Sequence, residues 1–179
     1  MRTVVLAVLL AAVSSSGCKL LKKGRGTPAA AVATVGMKKI DRAMYGVAYP
    51  DDWTLDEKDE DFDLDHFFSI DAPGNCHVSV FLFDTKIDAK QHLEIQTKKM
   101  NEKVFKDPAT ETPFSTWGSL SGTGVELHGR MKPVGKGRIR NFVHAEGARS
   151  VLTIEFCFDE ELPKSQPGFD AIAGSFHFK

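Results

Sequence analysis

An α+β fold, with a mainly antiparallel sheet flanked by one long helix and a short C-terminal helix, is what this 179-residue sequence predicts. Three observations carry it. Short apolar runs of period two recur from Tyr45 to Phe158, one long helical pattern divides them into two groups, and a second, shorter helical pattern precedes the end. Strands grouped on either side of a helix, rather than alternating with helices, are the mark of an antiparallel α+β domain.

The folded domain is expected over residues 39–179, beginning near Ile40. Tyr45, Val47 and Tyr49 alternate as a strand does, and Pro50-Asp51-Asp52 ends it with turn residues. Trp53 and Leu55 begin a second short strand. Across Asp56–Asp65 and onward, Phe62, Leu64, His66, Phe68 and Ile70 keep period two, which reads as an exposed acidic edge strand. After the turn Pro73-Gly74-Asn75, Val78, Val80 and Leu82 fill one face of a strand while Phe81 and Phe83 fill the other. A strand apolar on both faces belongs at the centre of a sheet. Thr85–Phe105 is the long helix, with Thr85 and Asp88 as a capping box and Ala89, Leu93, Thr97, Met100 and Val104 as its inner stripe. Phe114–Leu120 is a strand, and Gly124–Met131 with Arg138–Gly147 form a hairpin across a Gly-rich turn. Val125, Leu127, Ile139 and Val143 share one face of that hairpin. Glu126, His128, Arg138, Arg140, Phe142 and His144 share the other. Arg149–Phe158 is a further strand, Pro167 opens the short helix, and Ser175–Phe178 is the last strand.

This order resembles the PsbP-like fold. The matching features are Tyr49-Pro50-Asp51-Asp52-Trp53 after the first strand, the long helix after the fourth, the Gly-rich hairpin, and Gly168-Phe169-Asp170-Ala171-Ile172 leading to Ser175-Phe176. The resemblance spans residues 40–179. It implies an antiparallel sheet between helices and a binding role without catalysis, and it supplies no catalytic residue to carry over.

The first eighteen residues read as an export signal. Arg2 is a basic start, Val4–Val13 a short apolar run, and Ser15-Ser16-Gly17 a set of small residues before Cys18. This resembles the lipobox of bacterial lipoproteins, which implies removal of residues 1–17 and lipidation of Cys18. The competing readings are a membrane-spanning anchor and an ordinary cleaved signal. A span needs about 20 apolar residues, roughly twice this run. Residues 18–38 then form a basic and Ala-rich tether, with Lys19, Lys22, Lys23 and Arg25 where anionic headgroups would lie. The expected location is the cell envelope, facing the periplasm, with the outer membrane preferred. Membrane lipid is one partner, through acylated Cys18, and an envelope protein of unknown identity is the other.

Composition excludes one class of partner. The chain has 23 Lys+Arg against 24 Asp+Glu, and loss of Arg2 with the signal leaves a net charge near −2. That gives no basic field for nucleic acid. Beyond Cys18 there remain Cys76 and Cys157, an even pair that permits a disulfide in an exported protein. Strand phase argues against it, because Cys76 alternates with Val78 and Val80 whereas Cys157 alternates with Thr153 and Glu155.

No arrangement declares catalysis or a cofactor. The acidic run Asp59–Asp65 lacks the glycine and the terminal carboxylate of a calcium loop. His128 and His144 lack the closely spaced partners of a transition-metal site. Cys76 and His77 are strand neighbours and point apart. The expected working surface is therefore the polar hairpin face: Arg138, Arg140, Phe142, His128 and His144, with help from Trp53 and Trp117. The alternative is a carrier holding a small apolar ligand between sheet and helix, behind Val78, Val80 and Leu93.

Overall fold

Residues 36–58, 62–133 and 135–179 are described in the computed structural model. The signal stretch, Cys18 and the tether as far as residue 35 lie outside them. In chain order the elements are β1 (Met37–Asp41), β2 (Tyr45–Pro50), β3 (Thr54–Leu55), β4 (Phe67–Asp71), β5 (His77–Phe83), α1 (Ala89–Lys103), β6 (Thr110–Trp117), β7 (Leu120–Arg130), β8 (Lys136–Glu146), β9 (Arg149–Phe158), α2 (Leu162–Ser175) and β10 (His177–Phe178). Seven strands form one antiparallel sheet in the order β3-β4-β5-β9-β8-β7-β6, and β1-β2-β10 form a second, smaller one.

The two-faced pattern of β5 has a direct structural meaning. Val78, Val80 and Leu82 enter one core with Tyr45, Phe68, Phe142, Phe169 and Phe176, beneath α2 and the small sheet. Phe81 and Phe83 pack on a second core with Leu93, Leu127, Ile139 and Leu152, on the side where α1 lies across β7 and β8. Apolar side chains leave water on both faces, so β5 and β9 are interior strands. The hairpin register agrees with the alternation in the sequence: Leu127 faces Ile139, Glu126 faces Arg140 and His128 faces Arg138.

Several boundaries differ from the sequence expectation. Strand β1 begins at Met37, inside the expected tether of residues 18–38. Strand β1 pairs along β2 with Ile40 opposite Val47, and that pairing partner cannot be read from five residues holding two lysines and an aspartate. Among the described residues of the acidic stretch, 56–58 and 62–65, none belongs to a strand. From Asp63 to His66 the chain makes a tight turn in which the Asp63 carboxylate accepts the Asp65 N–H and contacts the His66 ring. Asp side chains that bond locally to backbone favour turns over strands. Helix α1 starts one turn later than Thr85, because Asp88 rather than Thr85 caps it and accepts the Gln91 N–H at 3.1 Å. Helix α2 starts before Pro167. Pro163 occupies its first turn, where the missing N–H has no role, and Pro167 sits in the interior.

The two halves of the motif that suggested the fold meet in space. Trp53 lies edge-on to Phe169, with ring centroids 5.2 Å apart. Gly168 makes the approach feasible, since a Cβ on it would stand 2.2 Å from the Trp53 ring. Ser175 ties the end of α2 to β2, its hydroxyl accepting the Ala48 N–H at 2.8 Å.

Gly168→Ala must therefore displace Trp53 or α2. Such overpacking costs about 1–3 kcal/mol. Thermal denaturation should show Gly168→Ala melting several degrees below the parent, while Gly174→Ala, whose Cβ would meet nothing within 4 Å, should melt close to it.

Candidate functional site

Strands β6, β7, β8 and β9 align their side chains in rows across the sheet. One row reads Thr112, Glu126, Arg140, Glu155 and then Val78 of β5. The next reads Thr110, His128, Arg138 and Cys157. A third reads Phe114, Gly124, Phe142 and Thr153. The sequence-predicted residues His128, Arg138, Arg140, Phe142 and His144 do share one face, because alternate strand residues point the same way.

That face is largely turned inward. Phe142 is fully buried, stacked between Phe114 at 5.9 Å and Trp117 at 6.5 Å, so it is a core residue and not part of a surface. The side chains of Arg138 and Arg140 keep 13% and 21% of their exposure. Both converge on Glu155, which is 2% exposed. Its Oε1 accepts the Trp117 indole N–H at 2.8 Å, and its Oε2 lies 3.2 Å from Arg140 Nη1 and 3.9 Å from Arg138 Nη2. Arg140 reaches Glu126 at 3.4 Å through Nε and lies over the Phe114 ring at 4.2 Å. Arg138 donates to Gln166 of α2 at 2.6 Å. Burial pulls the Arg138 pKa down, and Glu155 and Glu126 oppose that shift. Two guanidinium groups thus sit between two carboxylates, and the charges balance within the cluster. A balanced, hydrogen-bonded cluster holds strands and helix in register.

The accessible remainder is the rim. His128 is exposed, and its Nε2 lies 3.0 Å from Asp159. His144 contacts the Ser121 carbonyl at 2.7 Å and stacks on Phe178. Trp53 and Trp117 are both core, at 4% and 2% exposure. Sequence reasoning missed Glu155 and Gln166 as members of this cluster, and it named Trp117 as part of a surface and not as a buried donor to Glu155. The available signal was a lone acid inside an apolar strand, which needs a cation when buried.

Cys76 and Cys157 are joined by a disulfide, with Cα atoms 4.2 Å apart. The register explains why strand phase misled. His77 pairs with Phe156 and Val78 with Glu155, so Val78, Glu155 and Cys157 share a face. Thr153 and Glu155 are buried there despite being polar, and Cys157 belongs to the same core as Cys76, Val78 and Val80.

Val78 and Val80 belong to one core and Leu93 to the other, on opposite sides of the sheet. The three cannot line one cavity, which removes the ligand pocket expected behind them. Two open grooves instead flank α1. One of about 640 Å³ runs past Lys86, Asp88, Lys90, Gly122 and Val143, and one of about 420 Å³ past Leu93, Thr97, Asn101, Glu111 and Val125. Among the described residues, no group of three His, Cys, Asp or Glu is placed to hold a metal ion. Asp63, from the acidic run, instead contacts His66 at 2.8 Å, and Asp84 approaches the other ring nitrogen at 3.6 Å.

No family model and no curated protein matches the sequence. Solved structures match its fold. The cyanobacterial PsbP of Synechocystis sp. is similar with a TM-score of 0.52 at 13% identity, covering 86% of this chain and 98% of that one. LpqN of Mycobacterium tuberculosis, involved in cell envelope biogenesis, gives 0.47 at 14% identity over 86% and 99%. The Ran-binding protein Mog1p of Saccharomyces cerevisiae gives 0.49 at 8% over 80% and 96%. The likeness to the cyanobacterial protein shows the fold: the domain is PsbP-like.

Glu155→Ala would leave two half-buried guanidinium groups facing an apolar hole. Breaking a buried pair costs about 3–5 kcal/mol, and the partial exposure of both arginines places this case near the low end. Urea denaturation followed by far-UV circular dichroism should show that loss, with Glu155→Gln between the parent and Glu155→Ala. A second prediction concerns protons. The Asp63 hydrogen bond, then the lesser pull of Asp84, raises the His66 pKa above 6.5, while burial against Phe156 lowers that of His77. The His66 contribution to stability is full below pH 6.5 and fades as pH rises through its raised folded value. Proton NMR titration should place His66 above His77, and Asp63→Asn should bring His66 down.

Proposed function

We propose that this PsbP-like domain is the folded part of a lipid-anchored lipoprotein and serves as a non-enzymatic binding or accessory module in the bacterial cell envelope. The sequence Ser15-Ser16-Gly17-Cys18, behind a basic start and a short apolar run, is the observation that carries the reading. The Cys76–Cys157 bridge supports it independently, because disulfides persist in exported proteins and are rare in the reducing cytosol. In this reading Cys18 holds membrane lipid, the domain faces the periplasm, and residues 1–17 are removed.

The rim of the hairpin face is where an envelope protein would bind. Glu126 and the His128–Asp159 pair lie at one end of that rim, and His144 lies at the other end of β8. Arg138, Arg140 and Phe142 shape that rim from beneath rather than touching a partner. Binding through such a rim needs no cofactor.

Intact-mass analysis of the chain purified from envelope membranes tests the reading. The expected result is a chain starting at Cys18, heavier by its acyl groups and lighter by two hydrogens for the bridge. Cys18→Ser should release the protein into the soluble fraction. A chain that keeps residues 1–17, or an unmodified Cys18, would sink the anchor. For the rim, affinity capture with His128→Ala/Glu126→Ala should lose envelope proteins retained by the parent. Unchanged capture would remove that surface.

A further inference from the structure

We propose that the outward face of α1 is a docking surface for an anionic lipid bilayer, against which the anchored domain lies down. This rests on the lipid-anchor reading. The argument begins with charge segregation. Five of the 23 Lys+Arg lie in residues 1–35, so residues 36–179 hold 18 against all 24 Asp+Glu, a net charge of −6. Helix α1 and its flanks run against that sign. Lys86, Lys90, Lys98, Lys99, Lys103 and Lys106 are all exposed there. The acids among them are Asp88, which caps the helix, Glu94, and Glu102, which lies 4.0 Å from Lys98. The bordering Asp84 and Asp107 are engaged by His66 and Arg130.

An apolar residue stands on the outward side of this helix, next to Lys98 and Lys99. Ile95 is 48% exposed, and Met37 is the other large hydrophobic so exposed among the described residues. At 3.6 residues per turn Ile95 shares the outward surface with Gln91, Lys98, Lys99 and Glu102. An apolar side chain beside Lys98 and Lys99, on a helix packed against its own domain, has the makings of an interfacial helix. Lysine stems can lie along the acyl boundary while their ammonium groups reach phosphates. A protein partner fits this face less well, since lysine and glutamate are depleted in protein interfaces and no aromatic or arginine anchor is present. A bilayer is also always within reach. The eighteen residues between Cys18 and Met37 span at most about 60 Å, and Lys19, Lys22, Lys23 and Arg25 favour the same leaflet.

The test uses the full acylated chain carrying Ile95→Cys. With Cys18 acylated and Cys76 bridged to Cys157, this is the one free thiol, and it takes an environment-sensitive fluorophore. The protein is reconstituted into vesicles of phosphatidylcholine alone or mixed with phosphatidylglycerol. Emission should rise roughly twofold and shift to the blue in the mixed vesicles. The gain should vanish with Lys98→Glu/Lys99→Glu/Lys103→Glu or at about 0.5 M salt, and a label at Asp52→Cys should not respond. Equal emission in both vesicles, with the protein still floating with them, overturns the docking surface and leaves the anchor standing. Loss of flotation condemns the anchor instead. Protection of the label in native envelope but not in protein-free anionic vesicles points to a protein on α1 and also overturns the proposal.

Discussion

The pairing of β5 with β9 is the contact on which the rest of the domain depends. These strands come from opposite sides of the long helix, and their ladder joins the first group of strands to the β7–β8 hairpin. Both are apolar enough on both faces to be covered by both cores. The Cys76–Cys157 bridge closes this ladder at one end, across 81 residues of chain. In the chain-entropy picture, closing a loop of that length restricts the unfolded state by about 4–5 kcal/mol. A domain whose centre consists of distant strands gains most from such a restriction.

Once that ladder is set, the polar residues of the hairpin have little freedom. Glu155 enters the core because its row on β9 lies between Val78 and Arg140. A buried carboxylate needs partners, and Trp117, Arg140 and Arg138 come from two further strands to supply them. The face that looks like a binding surface in one dimension is thus, over most of its area, the seam joining β6, β7, β8, β9 and α2. What remains accessible lies at its margin, in His128 and its neighbours, and on the other side of the sheet, along the outer surface of α1.

Much of this was legible in the sequence where one physical signal dominated. Apolar residues on both faces of Val78–Phe83 placed one interior strand, Arg149–Phe158 was legible as a strand, and the alternation of Glu126, His128, Arg138 and Arg140 placed their common face. The PsbP-like fold was legible too, through Trp53 and Gly168-Phe169, which the structure brings into contact. Legibility failed where local rules competed. Asp63 and Asp65 follow a strand period, yet the Asp63 carboxylate bonds to the Asp65 N–H and the chain makes a turn. Pro167 resembles a helix start, but Pro163 fills that position one turn earlier. Thr153 and Glu155 read as a solvent face, and that misplaced Cys157.

The sequence by itself determined most of the strands, the long helix and the faces of the hairpin, because each is written in the spacing of adjacent residues. Only the tertiary structure decided which faces meet water. It set β9 between β5 and β8, which buried Phe142 and Glu155, aligned Cys76 with Cys157, and put Val78 and Leu93 on opposite sides of one sheet. Those outcomes depend on register between strands far apart in the chain, and no local period encodes a register.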